Sequence, residues 1–350
     1  MENINEKIEE SIKKLENKEN TFYFLTQDTK GNAKGSVRFI YQIALSLSKV
    51  GFNVCILHEE ENYTKIGKWT SSEFDELKHM CIKNSDLKVS PEDVIIIPEI
   101  FGYVLEQLTN LPCEKVILCQ SYDYIFETLK PGVTWAELGF MKVITTSELQ
   151  KKYVSSVMKS NAYTVIEPII TENFSKKPYP SKPIISILTR DQRDTMKIIK
   201  TFYIKYPQFR WITFRDMRGL NEEQFSEYLK DSFVSVWIDD ISAFGTFPLE
   251  SMSCGTPVIG KVPNMKPEWL NEDNGIWTYE TNNIVDIISE YTQNWLEDNI
   301  NEDLYEKGYE TSNKFKDYES FDSKVNEVFS AIQESRIKMF KDKFETVKLQ

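Results

Sequence analysis

Short apolar runs alternate with segments of helical periodicity along most of the chain. The run at 21–26 precedes a polar, Gly-containing loop, and a helical pattern over 37–49 then leads to a second apolar run at 52–57. This order of elements predicts a β-α-β unit, which requires parallel strands. The same criteria predict further strands at 94–97, 116–118, 143–145, 184–188, 211–214, 233–238 and 258–260. The pattern therefore indicates an α/β protein with parallel sheets.

A Pro-rich stretch at 176–183 (K-K-P-Y-P-S-K-P) interrupts this alternation. A chain of 350 residues is too long for one ordinary hydrophobic core, so the stretch is predicted to link two domains. We expect a first domain at 1–175, a second at 184–315, and a C-terminal helix with a tail at 316–350. Residues 1–19 form a charged helical pattern with a narrow Ile/Leu stripe, which either docks on the first domain or binds a partner chain.

The segment that follows the predicted strand at 233–238 has the pattern of a ligand site. A loop around Gly245 leads into a helix that is predicted to start at Pro248, with Glu250 in its first turn. A helix that starts just beyond a strand directs free backbone N–H groups and the positive end of its dipole toward any ligand there, which suits a diphosphate. Glu250 can accept hydrogen bonds from ribose hydroxyls. An ordinary β-loop-α-β unit with a helix-capping Glu fits the pattern equally well.

The same segment resembles the E-G-F-G-x-P-x-x-E-A-M-A-C-G-x-P-V-I signature of the GT-B-fold retaining glycosyltransferases related to glycogen synthase and sucrose synthase. The matching residues are Phe244, Gly245, Pro248, Glu250, Met252, Cys254, Gly255, Pro257, Val258 and Ile259. Downstream, Lys266-Pro267-Glu268 and Asn274-Gly275 resemble the family's G-G-x-P-E and N-G elements. The resemblance implies two Rossmann-like parallel-sheet domains that face a central cleft, with a C-terminal helix that crosses back.

The resemblance also implies a reaction. A sugar would move from a nucleoside diphosphate to an acceptor hydroxyl, with retention of configuration and without a metal ion or other cofactor. In the family, two Glu residues in an E-x7-E arrangement contact the donor, and Glu250 has the position of the second, which binds the ribose. The first is replaced by Ser242, which places both the identity of the sugar and the activity itself in question.

Further donor contacts are predicted at three places. The backbone N–H groups of Phe244, Gly245, Thr246 and Phe247, together with Ser242, would line the diphosphate. Arg190 and Arg193 follow the end of a strand, where the family has an Arg and a Lys, although two solvated arginines beside Asp191 are the alternative. Gly35 lies in a loop that resembles the family's first Gly-rich loop, and an ordinary turn into a helix explains it equally well.

Acceptor contacts are expected from loops that follow strands of the first domain. Such loops line the binding crevice of open α/β sheets. Candidate residues are Glu99, Gln120, Tyr122 and Asp123, of which Asp123 is the predicted catalytic residue on the acceptor side. The family has a histidine near this loop, and none is present between residues 120 and 123.

The composition argues against several other classes of protein. The net charge of −12 argues against a general nucleic-acid binder, although a local basic groove stays possible. The five cysteines form no C-x-x-C pair and lie mostly in apolar runs, as reduced core thiols of a cytoplasmic protein do. The chain has two histidines, so a His-rich metal site is not expected. No window is apolar enough for a membrane span or a signal peptide.

Three other functions remain compatible with the sequence. A sugar-nucleotide epimerase shares the GT-B architecture but needs acid and base side chains at the sugar. A non-catalytic nucleotide-sugar-binding protein would explain Ser242. A nucleic-acid-modifying glycosyltransferase would need a basic acceptor groove in the first domain. The sequence does not specify the base or the sugar of the donor. It also does not specify the acceptor, which is a carbohydrate or another hydroxyl compound, or the oligomeric state.

Overall fold

A computed structural model of the chain describes residues 2–84, 87–176 and 181–348. It divides into two compact units, of which unit 1 comprises Met1–Ile166 with Tyr318–Gln350 and unit 2 comprises Glu167–Asp317. The chain thus completes most of unit 1, builds unit 2, and returns to unit 1 with its last helix.

Unit 1 is built on a parallel sheet that has seven strands in the part of the chain that the structure describes. The strands are β1 (Thr21–Thr26), β2 (Asn53–His58), β3 (Lys78–Cys81), β4 (Val94–Pro98), β5 (Glu114–Cys119), β6 (Lys142–Thr145) and β7 (Ala162–Val165). Their order in the sheet is β3-β2-β1-β4-β5-β6-β7. Each central strand is an almost unbroken apolar run, as expected for a parallel sheet that is covered on both faces.

Among the described residues of unit 1, one α-helix precedes the first strand, and four more connect the strands before unit 2 begins. They are α1 (Glu2–Glu16), α2 (Gly35–Lys49), α3 (Leu105–Leu108), α4 (Tyr124–Thr128) and α5 (Glu148–Met158). Ser147 caps the start of α5, because its hydroxyl accepts a hydrogen bond from the backbone N–H of Gln150 at 3.1 Å. One face of the sheet packs into a core that includes Trp135 and Phe140, both fully buried.

Unit 2 contains a second parallel sheet, with five strands among its described residues. They are β8 (Lys182–Thr189), β9 (Thr213–Asp216), β10 (Ser232–Ile238), β11 (Val258–Lys261) and β12 (Ile276–Thr278), in the order β12-β11-β10-β8-β9. The connecting helices are α6 (Gln192–Lys205), α7 (Glu222–Asp231), α8 (Thr246–Ser253), α9 (Ile284–Leu296) and α10 (Glu302–Asn313). The central strand β10 is buried along its whole length.

The last helix, α11 (Tyr318–Lys348), belongs to unit 1. Phe329 on α11 packs edge-on against Phe22 of β1, with ring centroids 5.5 Å apart. Farther along, Phe340 packs with Ile8 and Leu15 of α1, so the apolar stripe of the N-terminal helix docks on α11. The predicted return of a C-terminal helix to the first unit is therefore observed, and the predicted tail is helical as far as Lys348.

The division between the units precedes the predicted linker. Ile170 and Phe174 are fully buried in a core of unit 2, and the Ile170 N–H donates to the Phe315 carbonyl at 2.7 Å. These apolar side chains tie the segment to unit 2 before the Pro-rich stretch begins. Residues 177–180 of the predicted linker at 176–183 lie outside the described residues.

Two predictions made from composition concern the cysteines and membrane-spanning segments. All five cysteines are buried and free, as expected for core thiols. Among the described residues, no helix is both long and apolar enough to cross a membrane.

Candidate functional site

The loop after β10 is shaped by a glycine in a left-handed conformation. Gly245 immediately precedes α8 and has a φ of 76°. A Cβ atom at this position would lie 2.9 Å from the ring of Trp237 and 3.5 Å from the ring of Trp269. The indole N–H of Trp269 donates to the Phe244 carbonyl at 2.7 Å. Two tryptophans therefore fix the backbone at the start of α8, and only glycine fits between them.

The start of α8 differs from the sequence prediction. The helix begins at Thr246 rather than at Pro248, because Gly245 makes the sharp turn and Pro248 fits in the first helical turn, where its missing N–H has no helical acceptor. Glu250 therefore lies in the second turn, and the prediction that it lies in the first turn is wrong. Its side chain is buried, so a simple role as a solvent-exposed helix cap is also excluded.

The aromatic residues of this loop do not offer their side chains to a ligand. Phe244 packs edge-on against Phe315, with ring centroids 5.2 Å apart, and Phe247 packs against Phe225 at 5.8 Å. Both side chains belong to a core of unit 2. This segment can offer backbone N–H groups to a ligand. The first turn of a helix has N–H groups without helical acceptors, and α8 has no side-chain cap.

Asp239 is the acidic residue of this loop that sequence reasoning missed. It directly follows β10, and its Oδ1 accepts hydrogen bonds from the N–H groups of Ile241 and Ser242, both at 3.2 Å. The Arg190 Nε atom lies 3.8 Å from the same oxygen. Burial raises the pKa of the Asp239 carboxyl, and Arg190 partly offsets this rise. Asp239 thus links Ser242 to Arg190 at the carboxyl end of the sheet.

Arg190 and Arg193 occupy different environments. Arg190 continues β8, and its N–H donates to the Ile238 carbonyl of β10 at 2.8 Å. Arg193 lies in the first turn of α6 with 90% of its side chain exposed, where it forms a forked ion pair with Asp191 at 2.8 and 2.5 Å. Hydrogen bonds from Arg193 lower the pKa of Asp191 to about 2. The structure therefore brings Arg190 to the β10 loop and gives Arg193 a local carboxylate partner.

A third arginine connects strand ends in unit 2. Arg218 donates to the Thr189 carbonyl at 2.7 Å and to Asp216 at 2.5 Å. It also contacts the hydroxyls of Thr189 and Thr195. These contacts fix the turn between β8 and α6, so Arg218 supports the backbone from which Arg190 projects.

In unit 1, the Gly-rich loop leads directly into α2. The helix begins at Gly35, two residues earlier than the pattern predicts, and its first turn has no side-chain cap. Lys30 and Gly31 both have positive φ angles, and the Asp28 carboxylate accepts N–H groups from Lys30 and Thr64 at 2.9 and 3.3 Å. The predicted loop residue Gly35 therefore lies at a helix N-terminus that directs uncapped N–H groups outward.

The proposed acceptor loop of unit 1 is organised by a buried carboxylate. Glu99 is buried after the end of β4, and it accepts the N–H groups of Gln120 and Ser121 at 3.0 and 2.7 Å. Burial raises the pKa of Glu99 to about 7. Glu99 is thus occupied by the backbone of the loop, and its predicted role as a direct acceptor ligand is replaced by a role in positioning the loop.

Asp123 and Tyr122, two other candidate acceptor residues of this loop, lie in different environments. Asp123 immediately precedes α4 and is half-buried, and its N–H donates to the Ser121 hydroxyl at 3.3 Å. Tyr122 is buried and packs edge-on against Tyr153, with ring centroids 5.7 Å apart. Asp123 therefore stays a candidate for contact with a ligand, whereas Tyr122 contributes to packing.

The two histidines come together in unit 1, which their positions in the sequence do not indicate. His58 Nε2 lies 2.9 Å from His79 Nδ1, and Tyr63 stacks on His58 with ring centroids 3.7 Å apart. Burial lowers the pKa of His58 to about 3, which leaves the imidazole neutral. Within the described residues, no group of three or more His, Cys, Asp and Glu side chains is arranged to bind a metal ion.

Comparison with known proteins identifies the architecture. Sucrose-phosphate synthase from Thermosynechococcus elongatus superposes with a TM-score of 0.65 at 13% identity, over 90% of this chain and 100% of that one. HepE from Anabaena, solved in complex with UDP-glucose, superposes with a TM-score of 0.65 at 12% identity, over 89% and 99% of the two chains. A glycosyltransferase from Rickettsia africae gives 0.57 at 13%, over 89% and 98%.

The chain has the GT-B fold. No family model matches the sequence, and no curated protein gives a significant sequence match. The prediction of two Rossmann-like parallel-sheet domains in a GT-B architecture is therefore confirmed. In this GT-B chain, the roles of Ser242, Glu250, Arg190, Arg193 and Asp123 toward a ligand stay predictions.

Proposed function

We propose that the chain is a glycosyltransferase that moves a sugar from a nucleoside diphosphate to an acceptor hydroxyl. The observation that carries the proposal is the backbone at Gly245, which two tryptophans fix at the uncapped start of α8. This arrangement occurs within the segment that matches the family signature, on a chain with the GT-B fold. HepE, which shares this fold, is solved with UDP-glucose, so UDP-glucose is the first donor to test.

The donor's diphosphate would lie at the start of α8. The N–H groups of Thr246 and Phe247 and the positive end of the helix dipole favour the negative charge of the diphosphate, which increases as the glycosidic bond breaks. Arg190 would add a positive charge from the neighbouring strand end, since it already lies beside Asp239 at the carboxyl end of β10. Arg193 would contribute after it exchanges its Asp191 partner for a phosphate oxygen.

Charge stabilisation would provide most of the rate enhancement. The glycosidic bond breaks while negative charge grows on the departing diphosphate, and fixed N–H donors stabilise that charge without reorganisation. We infer retention of configuration, in which the acceptor attacks from the face that the diphosphate leaves. The departing phosphate oxygen then accepts the acceptor's proton, so the reaction needs neither a protein base nor a metal ion. Asp123 of unit 1 is proposed to orient the acceptor hydroxyl.

Glu250 is proposed to accept hydrogen bonds from the ribose hydroxyls. It is buried on α8, one turn beyond the N–H groups that would contact the diphosphate. In Glu250→Gln, the shape of the side chain is retained and its charge is lost. Because a hydrogen bond to a charged group contributes about 1.5 to 3 kcal/mol, we expect nucleotide-sugar affinity to fall roughly tenfold or more. An unchanged dissociation constant in a folded variant would remove Glu250 from the site.

A second function is favoured by Ser242. Where the family has a carboxylate, this chain has a half-buried serine whose N–H is engaged by Asp239. A protein that binds the nucleotide sugar without transferring it would have no need for the missing carboxylate. The two functions differ in turnover, because only the transferase releases nucleoside diphosphate in proportion to the acceptor that it consumes.

A thermal-shift panel of nucleoside diphosphates and nucleotide sugars, without added metal, tests both functions. A ligand at about 100 times its dissociation constant adds about 2.7 kcal/mol of stability, which is a readily measured shift. We expect a selective rise with one base, and turnover assays with that donor would then separate the transferase from the binding protein. If no compound in the panel stabilises the chain, the donor site proposed here is wrong.

A further inference from the structure

One stretch of unit 2 has a charge pattern opposite to that of the whole chain. Between Asp194 and Asp216 the sequence has five basic residues and no acidic one, in a protein whose net charge is −12. The stretch comprises most of α6, the turn after it and the edge strand β9. A local excess of positive charge on an acidic protein attracts anionic partners to that place.

The outer face of α6 combines these charges with apolar side chains. Met196, Lys197 and Lys200 line a shallow cavity of about 410 Å³ together with Gln192 and Arg193. Ile204 follows Lys200 by four positions and therefore lies on the same side of the helix. On the opposite side, Ile198 and Phe202 are buried in the core, which fixes the orientation of the helix.

Large apolar side chains are exposed on this face and on the segment that follows α6. Ile204 is 77% exposed, and Met196 and Trp211 are 45% and 49% exposed. Trp211 follows α6 and precedes β9, which is the edge strand of its sheet. Large apolar side chains exposed on one helix face and on the segment that follows it indicate a surface that is covered by something else in use.

Most of the basic side chains of this stretch are not neutralised locally. Lys205 pairs with Asp286, whereas Lys197, Lys200 and Arg210 have no ion-pair partner within the described parts of the chain. Within the described residues, two unpaired lysines thus share a helix face with exposed apolar side chains, and an unpaired arginine and an exposed tryptophan follow the helix. Interfacial segments have this composition, in which the charged groups meet lipid headgroups and the apolar groups enter the acyl boundary.

We infer that the outer face of α6 (Met196, Lys197, Lys200 and Ile204), together with Arg210 and Trp211 of the segment that follows it, binds the surface of an anionic lipid bilayer. A nucleic acid would satisfy the three cations, and its bases would stack on Trp211, but it would leave the aliphatic side chain of Ile204 exposed to water. A bilayer satisfies both groups, because the apolar side chains reach the acyl boundary and the cations stay among the anionic headgroups. The binding is peripheral and does not depend on the proposed transferase activity.

The test uses the full chain and vesicles of known composition. Phosphatidylcholine vesicles are compared with vesicles of phosphatidylcholine and phosphatidylglycerol at a molar ratio of about 7 to 3, by co-sedimentation at low and moderate salt. The wild type is expected to bind only the anionic vesicles, and salt is expected to weaken this binding. Because each lysine near the surface contributes about a fivefold gain in binding, the Lys197→Glu/Lys200→Glu variant is expected to bind roughly 30-fold more weakly or worse.

Two further variants make the test specific. Lys338→Glu/Lys343→Glu on α11 changes the net charge by the same amount at exposed positions of unit 1, and it is expected to bind the vesicles like the wild type. Ile204→Gln retains every charge and is expected to bind roughly tenfold more weakly, which an electrostatic partner alone would not cause. Circular dichroism of each variant confirms that it is folded.

Several results would overturn the inference. They are equal binding to neutral and anionic vesicles, an unchanged affinity in Lys197→Glu/Lys200→Glu, and a loss that is found in the α11 variant instead. Tighter binding to single-stranded RNA than to anionic vesicles, with the same loss in the α6 variant and none in Ile204→Gln, would identify a nucleic-acid surface and equally reject the bilayer.

Discussion

Two features of the structure each require a glycine at position 245. Its φ of 76° lies in the left-handed region, and a Cβ atom would meet the ring of Trp237 at 2.9 Å. Gly219 shares the first feature only, because it has a φ of 73° and nothing within 4 Å of the position that a Cβ would take. The pair therefore separates the cost of backbone strain from the cost of a steric clash.

We predict that Gly219→Ala lowers the free energy of unfolding by about 1 to 2 kcal/mol and that Gly245→Ala lowers it by about 2 to 5 kcal/mol. The larger value includes the displacement of Trp237 and hence of the loop that leads into α8. Urea denaturation of both variants measures the difference. Nucleotide binding is expected to be lost in Gly245→Ala and kept in Gly219→Ala, and equal effects of the two substitutions would contradict the role assigned to the tryptophans.

Glu99 makes a pH-dependent contribution to stability. Its pKa rises from 4.5 to about 7 on folding because the carboxyl is buried. A carboxyl whose pKa is raised on folding binds its proton more tightly in the folded chain. Its contribution is therefore most favourable below about pH 4.5 and is lost as the pH rises toward 7. The full shift corresponds to about 3 kcal/mol.

We predict that the stability of the wild type, measured relative to Glu99→Gln, falls by roughly 2 to 3 kcal/mol between about pH 5 and about pH 8. Glutamine does not titrate, so it removes this trend, although its amide group fits the two N–H donors of Gln120 and Ser121 less well at every pH. Denaturant unfolding at several pH values gives both curves. Parallel curves would show that Glu99 does not titrate in this range.

The sequence predicted residues whose role is local to one loop. It did not predict contacts between residues that are far apart in the sequence. The signature match identified Gly245 in the loop before the helix, and its positive φ is visible only in the structure. Sequence reasoning missed Asp239 as the partner of Arg190, and it assigned Glu99 to ligand binding, because both contacts join the ends of different strands. The early start of α8 was missed because Pro248 was taken as the first helical residue.

The sequence predicted the buried central strands and missed most of the exposed edge strands. Central strands such as β4 and β10 were found because they are continuous apolar runs. The short strands β3, β7 and β12 lie at the edges of the two sheets and consist mainly of exposed or half-exposed residues, so they give no clear apolar signal. Edge strands of this kind depend on the neighbouring strand for their hydrogen bonds and become visible only in the folded structure.

The last helix is predicted to be an integral part of unit 1. Phe329 of α11 is fully buried and contacts Phe22 and Phe24 of β1, whereas Met339 on the same helix is 49% exposed. We expect Phe329→Ala to destabilise unit 1 by about 3 to 5 kcal/mol and Met339→Ala to change its stability by less than about 0.5 kcal/mol. Differential scanning calorimetry measures both. A small effect of Phe329→Ala would mean that α11 is only loosely attached.

At the scale of the whole molecule, alternation and length predicted two parallel-sheet domains, and the structure shows two compact units. The return of residues 318–350 to unit 1 was expected from resemblance alone, since no local pattern specifies which sheet a helix will cover. Buried Ile170 and Phe174 show why composition is a weak guide to the boundary. Apolar residues that precede a Pro-rich stretch can belong to the unit that follows it.

The central claim is that unit 2 binds a nucleoside diphosphate sugar at the start of α8. Hydrogen exchange followed by mass spectrometry, with and without a saturating ligand from the thermal-shift panel, tests it most directly. We predict slower exchange in peptides that cover residues 239–253 and in those that cover 189–193. The ligand would accept hydrogen bonds from the N–H groups of Thr246 and Phe247, and its contacts with Arg190 and Arg193 would hold the neighbouring turn against local opening. Ligand-dependent protection that is confined to other parts of unit 2, or to unit 1 alone, would contradict the account.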